Sequence, residues 1–471
     1  MDPMVALEHL SKVIAGRSSD VARMEDYYRG KQPLKFATDS WRKFHQDRFE
    51  GFADNWSQVV VDAAAERLLL TGLRLPDAPQ KGDDEEAKDL WRVWQMSDGD
   101  SISSQGFVSS LITRRSFTLV WGAPPRITWE HASEVAVAYD PETRQRTAAV
   151  KMWRDGDMDH ATVYLPDAVY KYSRNRAVKE ERTAIGIIVP NSHDRRGEWG
   201  PREVDGETWP LANPLGVVPI VEWPNRPMLA GEPMSEIGGV AQMQDAINLM
   251  WAYLFTSADH ASWPQRVLMG AEPPTIPILD ADGNKIGDRP VDMKKMAEDR
   301  FLVLTGSDAN IGQFDPAKLD VFTGVIEQAV QHLAAQTRTP PHYLMGKMVN
   351  ANAEALKVAE TGLVKKVEEA QTFFGPAARE TFRLVALAMD RERLAARVAA
   401  GMVQWRDPEN RSEAQLSDAM QKRVTMGFPF RSVLEEYGYS DMEADRIMDL
   451  RRREASDTVF ADIEAAIGAA G

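Results

Sequence analysis

At 471 residues with 43% apolar side chains, the chain is long enough to bury a large core, and with no cysteine it excludes disulfides, cysteine-based zinc sites and thiol chemistry. Its 71 acidic against 56 basic residues, a formal charge of −15, argue against a protein that grips duplex DNA, because such grip needs many cations on phosphates. General solubility explains that charge as well as a role along which DNA slides.

No window approaches the roughly 18–20 apolar residues of a membrane helix. The start, MDPMVALEHLSKVIAG, carries acidic residues and no unbroken apolar run, so it does not read as a signal peptide, and the expected setting is cytoplasmic.

Residues 1 to 75 read as helical. The clearest segment is DNWSQVVVDAAAERLLLTGLRL, with an apolar face of Val59, Val60, Ala63, Ala64, Leu68 and Leu69, a cap at Asn55 or Asp54 and an end at Gly72. Upstream stands Tyr27-Tyr28-Arg29-Gly30-Lys31. After a polar connection from Pro76 to Asp84, DDEEAKDLWRVWQM predicts a helix that buries Leu90, Trp91, Val93 and Trp94, with Asp83 to Glu86 on a solvated face. A strand-rich region follows in FTLVWG, PRITWEH, EVAVAYD, TAAVKMWRD and ATVYLPDAVYKYSR, a meandering antiparallel sheet ending near Pro224, with DRRGEWGPREVDGE as a solvated loop.

The prolines and glycines of WPNRPMLAGEPMSEIGG mark a boundary, and Ser235 with Glu236 starts a new helix. Ile237, Val240, Met243, Ile247, Met250 and Leu254 recur at helical spacing, and Gln242, Gln244, Asp245 and Asn248 fill its polar surface. On residues alone this is ordinary packing. From 262 to about 315 the chain turns to strands in WPQRVLMG and DRFLVLTG, with VDMKKMAEDR as a short helix, while PPTIPILD is too proline-rich for a central strand. Asp280, Asp282 and Asn284 imitate a calcium loop, but the glycine is one place early and Val291 stands where a bidentate glutamate is required; a hairpin turn on Asp282-Gly283 is the better account.

Val321, Val325, Ile326, Ala329, Leu333 and Ala334 predict another helix that stops near Arg338, because Pro340 and Pro341 cannot continue it. A loop follows from Tyr343 to Asn352, and then a long helix from Ala353 to Met389, kinked or split at Gly375-Pro376. Past Asp407-Pro408 the segments SEAQLSDAMQKRVTMG, FRSVLEEYG and SDMEADRIMDLRRREAS read as helices, the last capped by Ser440 with Glu443, and the tail from Ala461 frays.

No catalytic constellation emerges. Gly346-Lys347 lacks the glycine and the hydroxyl residue of a phosphate loop, and there is no HExxH or GxSxG. The loop at 343–352 reads first as a plain connection between helices. Within it Lys347 is the one charge, Met348 and Val349 offer soft apolar contact, and Asn350 and Asn352 permit unusual backbone angles.

Taken together, the Tyr-Tyr-x-Gly and Asn-Trp-x-x-Val-Val-Val-Asp-Ala elements, the helix ending in Thr-Pro-Pro-His-Tyr-Leu-Met-Gly, the asparagine-rich loop and the long helix after it resemble tailed-bacteriophage portal proteins of the Gp6-like (SPP1-type) family. Trp405-x-Asp-Pro and Glu-Glu-Tyr-Gly-Tyr-Ser extend the likeness toward the C-terminus. The resemblance implies an α+β, mainly helical portal fold: wing 1–234, stem helix 235–261, α/β clip 262–318, stem helix 319–339, tunnel loop 340–352, long kinked helix 353–405 and helical crown 406–471.

It implies a ring, usually of twelve subunits, at one capsid vertex of the virion, assembled in the host cytoplasm. Scaffolding and major capsid proteins, the terminase large subunit, head–tail connector proteins and sliding double-stranded DNA are its implied partners. No cofactor, metal site or membrane is implied, and ATP is hydrolysed by the terminase. By the same resemblance Lys347, Met348, Val349, Asn350 and Asn352 belong to the channel loop. Gln242, Asp245, Asn248, Glu327 and Gln331 fall on the stem helices, and Asp282, Asn284, Lys285, Lys294 and Lys295 on the clip where terminase and connector dock. The alternatives are another head–tail adaptor or minor capsid protein, usually shorter and without a clip-like insertion, and a nucleic-acid-processing enzyme, which needs a metal or nucleotide site.

Overall fold

The computed structural model describes residues 1–35, 52–76, 84–175, 181–182, 188–189, 197–262, 266–269, 275–290, 310–313, 318–345, 353–409, 413–437, 439 and 443–454. They form an α+β fold in two compact units, one of residues 1–34, 50–245 and 330–471, the other of 35–49 and 246–329. The expected strand at 299–306, the helix at 291–300 with Lys294 and Lys295, loop residues Lys347 to Asn352, the Ser440 cap and the tail from Ala461 lie outside the described residues.

The first unit opens with α1 (Pro3–Tyr28), started by the Asp2 carboxylate, which accepts from the amides of Met4 and Val5. α2 (Trp56–Ala65) follows, then β1 (Leu70–Arg74), α3 (Glu85–Met96) and α4 (Gly99–Thr113). One expectation fails here. The helix expected to reach Gly72 ends at Ala65, because Leu70 to Arg74 pair antiparallel with β13 (Met402–Trp405), a strand more than three hundred residues away in sequence. The strand-rich region read after α3 is preceded by α4, over residues for which no element was named; its run of serines and glycines hides a helix whose small side chains admit large rings. A Cβ on Gly106 would lie 2.0 Å from the Trp129 indole, and Ser110 Oγ donates to the Trp223 carbonyl at 2.6 Å.

Two larger sheets follow. β2 (Arg115–Trp121) is central between β3 (Arg126–Glu130) and β8 (Ile220–Pro224). β4 (Val135–Tyr139), β5 (Arg146–Asp155), β6 (Met158–Tyr164) and β7 (Ala168–Asn175) make a meander, with the short strands Gly200–Pro201 and Leu211–Ala212 both on β7; the single meander expected from Phe117 onward is thus split, because β2 and β3 join β8 instead. α1 lays Ala6, Leu7, Leu10 and Ile14 on Ala136, Ala148, Val150 and Ala161 of the meander, alanines that let the helix come close.

α8 (Ala353–Ala388) supplies the centre of the larger core. Its Phe374 stacks on Phe107 at 5.5 Å, and its Phe382 meets Trp91 and Trp94 at 6.0 and 5.6 Å. Trp129, Trp223 and Trp405 close around Phe107. Pro376 does not split this helix. The lost hydrogen bond and ring clash cost about 3 kcal/mol, whereas each buried Phe side chain returns about 1.5–3 kcal/mol. The helix stops at Ala388, one residue from the Met389 end read from the residues and short of the 405 that the resemblance implied, with Asp390 in the left-handed region; α9 (Glu392–Ala399) and then β13 follow.

The acidic run 83–86 is not simply solvated where it is described. Asp84 caps α3 by accepting from Ala87, and Glu86 pairs with Arg397. At the C-terminal side are α10 (Glu413–Thr425), α11 (Phe430–Glu436) and helical residues 443–454, where Asp445 bridges Lys88 of α3 and Arg431 of α11.

The second unit takes most of α5 (Ala241–Ser262), whose first residues belong to the first unit. β9 (Arg266–Met269) pairs with β12 (Asn310–Gln313), and β10 (Thr275–Leu279) pairs with β11 (Lys285–Pro290). Within the proline-rich PPTIPILD, Thr275–Leu279 is a strand but not a central one: it lies in a two-stranded hairpin where both strands are edges and proline is tolerated. Its turn is organised by Asp280, whose carboxylate accepts from the amides of Asp282 and Asn284 at 3.0 and 2.7 Å, with Gly283 at φ 85°. The amide of Asn284 does most to hold the Asp280 carboxyl below its ordinary range.

α6 (Asp320–Thr337) begins in the second unit and ends in the first, stopping at Arg338 with φ 56°. The stretch expected to be all loop starts instead with a turn of helix, α7 (Pro341–Met345), because a proline at the first helical position has no amide that needs a partner.

Candidate functional site

The described residues that tie the ends of α5, α6, α7 and α8 into the first unit are polar and buried or half-buried, in contrast to its aromatic centre. At the start of α5, Gln244 Oε1 accepts from the amides of Trp56 and Ser57 at 2.8 and 3.3 Å, and its Nε2 donates to the Asp54 carbonyl. Gln244 therefore caps α2. Of the two expected capping residues, Asn55 donates instead to the Tyr28 carbonyl at 2.7 Å, and the Asp54 carboxylate accepts from the Trp56 indole at 3.0 Å. Beside it, the buried Tyr27 hydroxyl donates to Asp245 at 2.7 Å, and Tyr28 donates to Asp62 at 2.8 Å. Burial, reinforced by Asp62, pushes the Tyr28 hydroxyl up to about 12.

Just before α5, residues 236–240 form turns where a helix was expected to start. The Gly238-Gly239 pair has little helical preference. Glu236 instead points its carboxylate at Lys366 of α8, with Nζ at 2.8 Å and both side chains no more than 5% exposed. Asn225 Nδ2 donates to it at 3.2 Å and Arg226 lies 3.8 Å away. Burial alone would raise this carboxyl; Lys366, Asn225 and Arg226 outweigh it and hold the group below its ordinary value.

At the end of α6, Arg338 reaches Glu369 of α8 at 2.7 Å, and Thr337 Oγ1 donates to Thr339 Oγ1. On α7, Tyr343 and His342 face Arg67 and Glu360: Arg67 Nη2 donates to the Tyr343 hydroxyl at 2.8 Å, and His342 Nε2 lies 3.7 Å from Glu360.

The residues singled out in sequence fare unevenly. Gln242, Glu327 and Gln331 are exposed on their helices. Asp245 and Asn248, expected on the polar surface, are buried, as is Gln244; Asp245 is turned inward by Tyr27 and Gln244 by the open end of α2. Asp282, Asn284 and Lys285 are exposed around the hairpin turn, Lys285 pairing with Asp288 at 2.9 Å. Gln244, Glu236, Lys366 and Arg67 were missed because their partners lie far off in the chain. The only local signal was the pair of motifs at Tyr27-Tyr28 and Asn55-Trp56, which the structure joins through Asn55, Gln244 and Asp245.

Among the described residues no group of His, Asp and Glu could hold a metal ion. What the side chains build is a frame that fixes long helices, the mark of a structural subunit. The family model for phage portal proteins of the SPP1 Gp6-like kind matches residues 10–451, and the chain belongs to that family. It is accordingly a phage portal protein, a structural component of the phage particle and not an enzyme.

Two relatives, each named a portal protein, come from Mycobacterium phages L5 and D29. Both are 26% identical to this chain; the first alignment covers 97% of this chain and 90% of the relative, the second 85% and 79%. The neck of an empty gene transfer agent particle aligns at 12% identity over 85% of this chain and 96% of its own, with a TM-score of 0.42, a likeness too loose to argue from.

Proposed function

We propose that the chain assembles as a closed ring of twelve subunits at one capsid vertex, through which double-stranded DNA enters during packaging and leaves at ejection. The family match over residues 10–451 carries this reading. In it, residues 1–234 form the wing, α5 and α6 the stem, 262–318 the clip that meets the terminase and then the connector, and 340–352 the loop toward the DNA. α8, with α9 and β13, leads away toward a C-terminal crown at 406–471.

Composition supports the assignment of the stem. Neither α5 nor α6 contains a lysine or arginine, so a channel wall made from them offers phosphates no cation to stick to. Gln242, Glu327 and Gln331 are exposed stem residues that would face that channel, and Lys347 with Met348, Val349, Asn350 and Asn352 is the candidate contact from the loop. Asp282, Asn284 and Lys285 present the hairpin turn to a docking partner.

Light scattering and electron microscopy of the purified protein test the reading. A ring with a central hole wide enough for a duplex, roughly 20 Å across, is expected. A monomer that stays monomeric even when scaffolding protein is added would overturn it.

A further inference from the structure

We propose that Arg67 is a positioning residue for the segment between α7 and α8, one buried cation that holds the flanking helices on both sides of it. The proposal rests on the reading that this segment meets DNA.

Arg67 follows α2, at the turn that leads into β1, and its side chain is only 5% exposed. Nη1 donates to the Pro408 carbonyl at 3.0 Å. Nη2 donates to the Tyr343 hydroxyl at 2.8 Å and reaches Glu360 Oε2 at 3.4 Å, while the guanidinium carbon stands 5.9 Å from the centre of the Tyr343 ring. Tyr343 lies near the end of α7, and Glu360 lies on the early turns of α8. The two helices are tied further by His342 to Glu360, and the Tyr343 hydroxyl also lies 3.4 Å from Glu66 Oε1.

α7 needs such a tie. Its five residues, which begin three past a left-handed Arg338, are far too few to be stable as an isolated helix. Leu344 gives it one buried apolar anchor, which sets depth but not direction. A planar guanidinium with donors fixed in a fork addresses a carbonyl, a phenol and a carboxylate from one place; an ammonium on a flexible stem does not. The same charge held by lysine therefore should not restore the geometry.

The test is hydrogen exchange on the full-length assembled protein, comparing wild type with Tyr343→Phe, Arg67→Gln and Arg67→Lys. Tyr343→Phe is expected to lose protection within Pro341–Met345 and the first turns of α8 only, with assembly and thermal midpoint close to wild type. Arg67→Gln should lose protection there more fully, and Arg67→Lys should fail to restore it. Unchanged protection of α7 in Tyr343→Phe and Arg67→Gln, uniform loss across the first unit, or full rescue by lysine would each overturn the assignment.

DNA content of particles assembled with the same variants separates the two layers. Less DNA packaged or retained supports both. Loosened α7 with full DNA content leaves Arg67 as the positioning residue and removes the reading that this segment meets DNA.

Discussion

The long helix α8 is held in two different ways along its length. Its second half is seated by Phe374 and Phe382 among the rings of Trp91, Trp94, Phe107 and Trp223. Its first half is tied by Glu360, Lys366 and Glu369 to Arg67, Glu236 and Arg338. Apolar seating is tolerant of direction, because dispersion and water exclusion are not directional. Hydrogen-bonded ion pairs fix direction but contribute little net stability after desolvation. Leu363 and Val367 of the first half are buried in the same core and Glu380 of the second pairs with Arg146, so the helix is seated along its whole length and aimed mainly through its first half.

Breaking the seat should have the largest effect. Phe374→Ala is expected to lower the free energy of unfolding by about 3–5 kcal/mol, read by denaturant titration. Removing one ionic tie should come next: Lys366→Met leaves Glu236 buried without its partner and should cost about 3 kcal/mol. Replacing both Glu236 and Lys366 with apolar residues of similar volume should recover most of that loss, which would mark the pair as a specifier of direction.

A pH series sharpens the contrast. The folded Glu236 carboxyl is held below its ordinary value, so its contribution is present above that value and is lost as pH falls through the folded one. In Lys366→Met, burial is left as the dominant influence and the sign should reverse, with stability rising as pH falls through the ordinary carboxylate range; thermal midpoints from pH 7 downward would show it. The smallest effect is expected at the borrowed cap, where Gln244→Ala should cost about 1 kcal/mol, while the exposed Gln242→Ala should fall within about 0.5 kcal/mol of wild type.

The same division explains what could be read from the chain. The end of α6 at Arg338 was legible because Pro340 and Pro341 act locally, and the meander was legible because alternation and turn residues are local too. The course of Leu68 to Arg74 was not. Those residues read as helix until Met402 to Trp405 pair with them. α4 was hidden by its serines and Gly106, chosen to admit Trp129 and Trp223 and not for helix preference. At the candidate site, exposed residues such as Gln242 were where periodicity put them. Asp245 was not, because nothing near it in sequence announces Tyr27.

The uninterrupted length of α8 has a mechanical consequence. Thirty-six residues make a rod about 54 Å long, and the distance from the Phe374 seat to Ala353 is about 32 Å on the same rise per residue. About that pivot, a tilt of only about two degrees displaces the near end by roughly 1 Å. Such leverage would turn a slight repacking of the aromatic rings into movement of the start of the helix, which buried Leu363 and Val367 and the ionic ties at residues 360, 366 and 369 resist.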